Sequence, residues 1–224
     1  MNATVWDGLQ QAVDSPTPAT VKLFLILTVL SFGSAVLLCM TSFTRMIIVL
    51  SLLRQALGTP QLPPNQVLIG LALFLSFFVM GPTVERIHAQ AWTPWVEDSI
   101  PTEVAAERAS TAIKTFMLAQ TSDEDLRLFY SLANRPRPTR GEDMPLSVVV
   151  PAFMVGEVST AFKMGLHILV PMLLIDLLVG SVLLSLGMMM VPPAMVALPL
   201  KLGVFVLADG WRLVVSSLVK SFGG

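Results

Sequence analysis

Apolar residues fall in long blocks along this chain, broken by one polar stretch near the middle. Residues 1–20 are polar and mixed, with Asp7, Asp14 and a Pro16-Thr17-Pro18 break. Residues 21–40 are then almost wholly apolar, long enough as a helix to cross a hydrocarbon core of about 30 Å. Residues 41–58 follow without a clear loop. Their apolar run is bracketed by Arg45 and Arg54 and is too short to span, so it predicts an interfacial or re-entrant helix. Gly58 closes that helix, and Pro60, Pro63 and Pro64 make a turn. Asn65 is placed to cap a second apolar helix over 66–80, which Gly81-Pro82 ends.

The pattern changes at residue 83. Most of the charged residues lie between there and about 146, and Trp92 and Trp95 at its start suit a lipid–water interface. Pro101-Thr102-Glu103 opens a helix to about Gln120, with Thr102 as cap and acids in the first turn. Ser122-Asp123-Glu124-Asp125 reads as a capping box with Asp in place of Glu, and puts Leu126, Phe129 and Leu132 on one stripe. Arg135-Pro136-Arg137-Pro138 reads as an extended loop. Pro151, a residue tolerated at a helix start, begins the last apolar block. That block bends at Pro192-Pro193 and continues to Phe222.

The expected fold is therefore all-α, with tilted and kinked hydrophobic helical hairpins of the integral-membrane type. A polar N-terminal segment (1–20) precedes a first hydrophobic hairpin (21–82) with a cytoplasmic-side loop at 41–64. A water-facing helical insert (83–150) and a second long hydrophobic hairpin (151–224) follow. The side is assigned from Arg45 and Arg54, basic residues in a connection that lacks acids. Four crossings then put the insert outside and the 187–193 tip inside. No basic residue precedes Lys22, so the start does not read as a cleavable secretory signal.

Composition narrows the function. Hydrophobic residues make up 54% of the chain and charged ones 13%, which is the membrane class. A net charge of −1 gives no basis for nucleic-acid binding. One cysteine, Cys39, and two distant histidines, His88 and His167, cannot build a disulfide frame or a metal set, so no cofactor is expected. No phosphate loop, nucleophile elbow or metalloprotease helix is present, and no enzyme activity is expected. His167 should find a local hydrogen-bond partner, while His88 should be solvated.

Two features carry chemistry. Met188, Met189 and Met190 stand between Gly187 and Pro192-Pro193 at the tip of the second hairpin. Methionine repacks against changing neighbours, so this run is either apolar filling or a deformable gasket, with Gly187, Pro192 and Pro193 as its hinge. The second feature is charge inside apolar sequence: Glu157, Lys163, Asp176, Lys201 and Asp209. Counted from Pro192, Asp176 lies about 24 Å away along a straight helix, Lys201 about 13 Å and Asp209 about 25 Å. Asp176 and Lys201 are then at different depths. Asp176 needs a partner from elsewhere, such as Lys201 of a neighbouring subunit, which favours an oligomer. Proton or ion coupling is the other role open to these groups.

Three blocks make the sequence recognisable. The first runs from Thr41-Ser42-Phe43-Thr44-Arg45 through Leu52-Leu53-Arg54-Gln55-Ala56-Leu57-Gly58 to Pro63-Pro64-Asn65. The second joins Pro151-Ala152-Phe153, Glu157 and Phe162-Lys163-Met164-Gly165. The third holds Pro171, Ile175-Asp176, Gly187-Met188-Met189-Met190-Val191-Pro192-Pro193, Pro199-Leu200-Lys201-Leu202 and Asp209-Gly210-Trp211. In these the chain resembles the FliP family of the flagellar type III export apparatus, whose injectisome relatives are called SctR.

The resemblance implies a non-enzymatic core channel subunit of the export gate in the bacterial inner membrane, at the base of the flagellar basal body. Several copies, five in the flagellar case, would assemble with FliQ and FliR into a helical oligomeric channel, beside FlhB and FlhA and in contact with membrane lipid. Unfolded export substrates would pass through it, driven by the proton-motive force and a separate ATPase complex. The family's methionine loop, a ring that constricts the closed channel, maps onto Met188, Met189 and Met190. Much apolar helix would be buried between subunits rather than in lipid. The chain departs from the family at Met172, where an aromatic is common, and at Gly156, where a small hydroxyl residue is common. Pro192-Pro193 and Thr44-Arg45 favour the flagellar branch over the SctR one. A proton- or ion-pathway transporter, with Asp176, Lys201 and Asp209 as carriers, is the rival from another class.

Overall fold

The computed structural model describes residues 27, 38–59, 61–134, 136, 138 and 140–223. The polar segment 1–20, most of the first apolar stretch, Pro60, Arg135 and Arg137 lie outside the described residues. Among the described residues all regular structure is helical.

Helix α1 (Phe43–Ala56) is the centre of the molecule. Met46, Val49, Leu50 and Leu53 recur at the spacing of one helix face and are fully buried. Its length suggests an interfacial or re-entrant helix, and protein covers it. Fourteen residues extend about 21 Å, too little for a bilayer, but longer helices cover them from the sides. The closest cover comes from α6 (Leu146–Ser185), where Gly165 meets Leu52 so tightly that a Cβ at residue 165 would overlap its side chain. The helix ends at Gly58, whose φ of +75° suits glycine and whose N–H donates to the Gln55 carbonyl at 3.0 Å.

Helix α2 (Asn65–Ile87) starts after Pro64, so Asn65 is its first residue rather than its cap. It also runs through Gly81-Pro82 instead of ending there. A proline removes one donor, whereas a helix end amid apolar sequence would orphan several backbone groups at once. Leu68, Ala72, Ser76, Met80 and Thr83 form its buried edge, and Phe74, Phe77 and Phe78 face outward. One π-helical turn (His88–Trp92) and α3 (Thr93–Val96) lead into the insert.

Helix α4 (Thr102–Gln120) stops where the sequence expects, with Pro101 rather than Thr102 in the cap position. The Thr102 hydroxyl instead accepts from Trp95 Nε1 at 3.1 Å. Helix α5 (Asp123–Leu132) begins with the expected cap, Ser122 Oγ accepting from the Asp125 N–H at 3.1 Å. Its buried stripe is Leu126 and Tyr130, while Leu132 is exposed. Both helices pack on the first third of α6, around Phe153, Val149 and Met117.

Helix α6 has 40 residues, or about 60 Å. It starts at Leu146 and carries Pro151 and Pro171 within it, so Pro151 does not mark its beginning. After the tip come α7 (Pro193–Leu207) and α8 (Gly210–Lys220), bent by 64° at Asp209, whose φ is +50°. Gly210 is needed at that corner because the Phe205 ring occupies the space a Cβ would take.

By length and composition α2 with its continuation (Asn65–Val96) and α6 can each cross a membrane, and the bent pair α7–α8 makes a third candidate.

Candidate gate tip and buried ion pairs

The tip is built by a specific end to α6. Gly187 adopts φ +73° just past the last turn, and its N–H donates to the Leu184 carbonyl at 3.0 Å. The Met188 N–H donates to the Leu183 carbonyl at 2.9 Å. This double closure satisfies carbonyls that a helix end leaves open, and it needs a residue at ease with positive φ. On the far side Pro192 takes the cap position of α7 and Pro193 the first helical position, where its missing N–H is not wanted. The three methionines are thus held on a short turn between two well-terminated helices. Met188, Met189 and Met190 are 44%, 81% and 96% exposed, so they fill no core within this chain. Below them Val179, Leu183 and Ala197 zip α6 to α7.

Beneath that zip lies the first ion pair. Lys201 is only 6% exposed, and its Nζ stands 2.6 Å from Asp176 Oδ2 and 3.1 Å from the Ala56 carbonyl. The sequence expectation of different depths, with Asp176 paired to another subunit, is therefore wrong. Pro192 was the wrong origin, because the chain between Ser185 and Pro193 is a turn rather than helix. Asp176 is nine residues before Ser185 and Lys201 eight after Pro193, about 14 and 12 Å from the two helix ends. They are level.

The second pair holds the other end of α1. Arg45 Nε donates to Glu157 Oε2 at 2.9 Å and Nη2 to Oε1 at 2.5 Å, a bidentate fork with Glu157 wholly buried. Arg45 Nη1 also donates to the Ser221 carbonyl at 3.0 Å and to its Oγ at 2.9 Å. The Phe222 ring lies under the guanidinium, 3.7 Å from the carbon at its centre. Phe116 stacks on Phe222, and Gln120 Nε2 donates to the Phe222 carbonyl at 3.2 Å. Arg45 is thus no loop charge: it joins α1, α6 and the residues after α8, and Arg54 likewise lies in α1, in its last turn. Arg54 is partly buried and reaches the Pro63 carbonyl at 3.5 Å.

The remaining predicted charges are not buried in this chain. Lys163 is exposed on α6, and Asp209 is exposed at the α7–α8 corner, 3.7 Å from Arg212. His167 does find a local partner, donating from Nδ1 to the Lys163 carbonyl at 2.7 Å. Ser221, Phe222 and the Ala56 carbonyl were missed. A carboxylate deep in an apolar block signals that Glu157 needs a basic match, but no sequence signal marks a backbone carbonyl as a partner.

A family model described as the FliP family matches residues 26–218. The chain belongs to the FliP family. A Flagellar biosynthetic protein FliP of Pectobacterium carotovorum subsp. carotovorum is 51% identical, over 99% of this chain and 89% of that protein. The protein of that name from Bacillus subtilis (strain 168) is 50% identical over 91% of this chain and 92% of its own length. That from Aquifex aeolicus (strain VF5) is 47% identical over 91% and 86%. In this FliP-family fold the motif residues gather at three places: the Arg45–Glu157 node, the Asp176–Lys201 pair and the methionine tip.

Proposed function

We infer that this chain is a core channel subunit of the flagellar protein export gate in the bacterial inner membrane, and that its methionine tip is the gate. The observation that carries this reading is the tip itself: three exposed methionines, two of them nearly uncovered, on a turn fixed at both ends by helix caps. Exposed apolar residues of this kind are filled by something, and polarizable, unbranched side chains suit a seal that opens and recloses.

The apolar surface of α6 supports assembly. Its exposed row runs from Val155 through Phe162, Leu166, Val170 and Leu177 to Leu184, a rise of about 44 Å. A hydrocarbon core of about 30 Å does not cover that height even with ordinary tilt. Part of the row therefore needs protein against it. Copies of this chain, about five as in the flagellar resemblance, would supply it together with FliQ and FliR, with FlhB and FlhA alongside. Unfolded export substrates would pass along the axis on which the tips converge, with the 83–150 insert on the periplasmic side. The subunit acts without catalytic chemistry. The names of its relatives favour the flagellar branch over the injectisome one.

The test is a Met188→Ala, Met189→Ala, Met190→Ala triple variant. A gate predicts raised leakage of small solutes through complexes that still assemble. Unchanged leakage in an intact complex overturns it.

A further inference from the structure

A cleft of about 610 Å³ opens between α6 and α8, floored by α1. Its floor is hydrocarbon, formed by Val49 and Val214, both buried, and by Ile168. Its rim is different in kind: Thr160 and His167 on α6, Ser217 and Lys220 on α8. Lys163 stands on the same helix face as Thr160 and His167, at the spacing of one turn. No carboxylate lines the cleft. The nearest acid in sequence, Glu157, lies one turn before Thr160 and has both oxygens held by Arg45. Among the described residues neither Lys163 nor Lys220 has an ion-pair partner. One lysine, an imidazole and two hydroxyls thus line a cleft with no anion of its own, and Lys163 stands beside it on α6.

We propose that this cleft binds the phosphate of an anionic phospholipid at its rim and the first methylenes of that lipid on its floor. Charge complementarity gives the headgroup, since ammonium and hydroxyl donors line one cleft where no acid competes. The surroundings give the tail. Leu213 carries the apolar floor out to the surface, and Phe162, Leu166 and Val170 flank Lys163 and His167 as an exposed apolar row on the same helix. A free phosphate or a nucleotide would leave that apolar surface unused. The volume suits a headgroup with the start of its chains, which then run along α6. A lipid here touches α1, α6 and α8 together, beside the Ser221 and Arg45 contact.

The assembled complex is extracted in detergent, stripped of lipid and titrated separately with phosphatidylglycerol, phosphatidylcholine and inorganic phosphate, with retention read by native mass spectrometry. Phosphatidylglycerol is expected to be held about tenfold more strongly than phosphatidylcholine, a preference of about 1.4 kcal/mol. A Lys163→Gln, Lys220→Gln pair removes the preference, and Lys163→Arg with Lys220→Arg keeps it. Both side chains are exposed, so the fold is not at stake; if the Gln pair does not assemble, Lys220→Gln alone is compared. Equal retention of the two lipids, or a preference untouched by the Gln substitutions, overturns the site. Phosphate retention that depends on the lysines, without any lipid preference, overturns the lipid as occupant.

Discussion

The ammonium of Lys201 stands 2.6 Å from the carboxylate of Asp176 and donates at 3.1 Å to the carbonyl of Ala56. One cation thus ties both arms of the tip hairpin to the end of the central helix. Its two partners differ in what they leave behind. Asp176 is about one-third exposed and can turn to water, whereas Lys201 is buried and cannot. Asp176→Ala should therefore destabilise the chain by about 3 kcal/mol, because it strands a buried ammonium. Asp176→Asn keeps an acceptor and should cost about 1 kcal/mol. Chemical unfolding in detergent measures both. A double-mutant cycle with Lys201→Met should show clear non-additivity, and additive effects would remove the pair as a structural unit.

Arg45 and Glu157 form the more deeply buried pair, and the fork geometry matters as much as the charge. Glu157→Ala should cost about 3–5 kcal/mol by leaving a buried guanidinium with only Ser221 and Phe222. Arg45→Lys should be nearly as harmful, since one ammonium cannot reproduce two carboxylate bonds, the Ser221 bonds and the stack on Phe222. Replacing both with apolar residues, Arg45→Met with Glu157→Leu, should recover much of the loss. Expression yield and unfolding midpoint of the three variants give the order; a double variant worse than either single one refutes this account.

The α1–α6 contact makes a packing prediction. Gly165→Ala pushes a methyl group into the Leu52 side chain and should destabilise by about 1–3 kcal/mol. Adding Leu52→Ala makes room and should restore part of that loss while opening a cavity of its own. Melting temperatures of the single and double variants distinguish this from a general intolerance of alanine in the helix, which the second substitution would not relieve.

At the tip, Gly187→Val should be more damaging than Gly187→Asn. The backbone sits at φ +73°, which costs a β-branched residue the most and asparagine the least. Protection of the Gly187 and Met188 amides against hydrogen exchange should fall in the valine variant and largely persist in the asparagine one. Equal protection in both would mean that the helix end is held by something other than these two bonds.

How legible the molecule was in its sequence depends on the range of each interaction. The end of α4 at Gln120 and the Ser122 cap of α5 were readable because their determinants lie within a turn of the boundary. Helix boundaries at prolines within apolar sequence were not. Pro82 and Pro151 look like boundaries, yet in apolar surroundings the backbone gains more by keeping the helix than by breaking it. Arg45 was misplaced for a different reason: its partners, Glu157 and Ser221, are 112 and 176 residues away, and no local pattern carries them. The Asp176–Lys201 pair failed on a smaller matter, the point where two helices stop. With the turn excluded, the same arithmetic puts the charges level.

The Arg45 node also imposes an order in time. Helix α1 is complete when Ala56 has been made, but the groups that satisfy its arginine arrive only with Glu157 and then Ser221 and Phe222. During synthesis α1 carries an unmatched guanidinium through most of the chain that follows. Its arginine lacks a carboxylate until that closing contact forms, and loops of this length close slowly compared with the growth of single helices. The central helix of this molecule is thus made long before the groups that match its arginine.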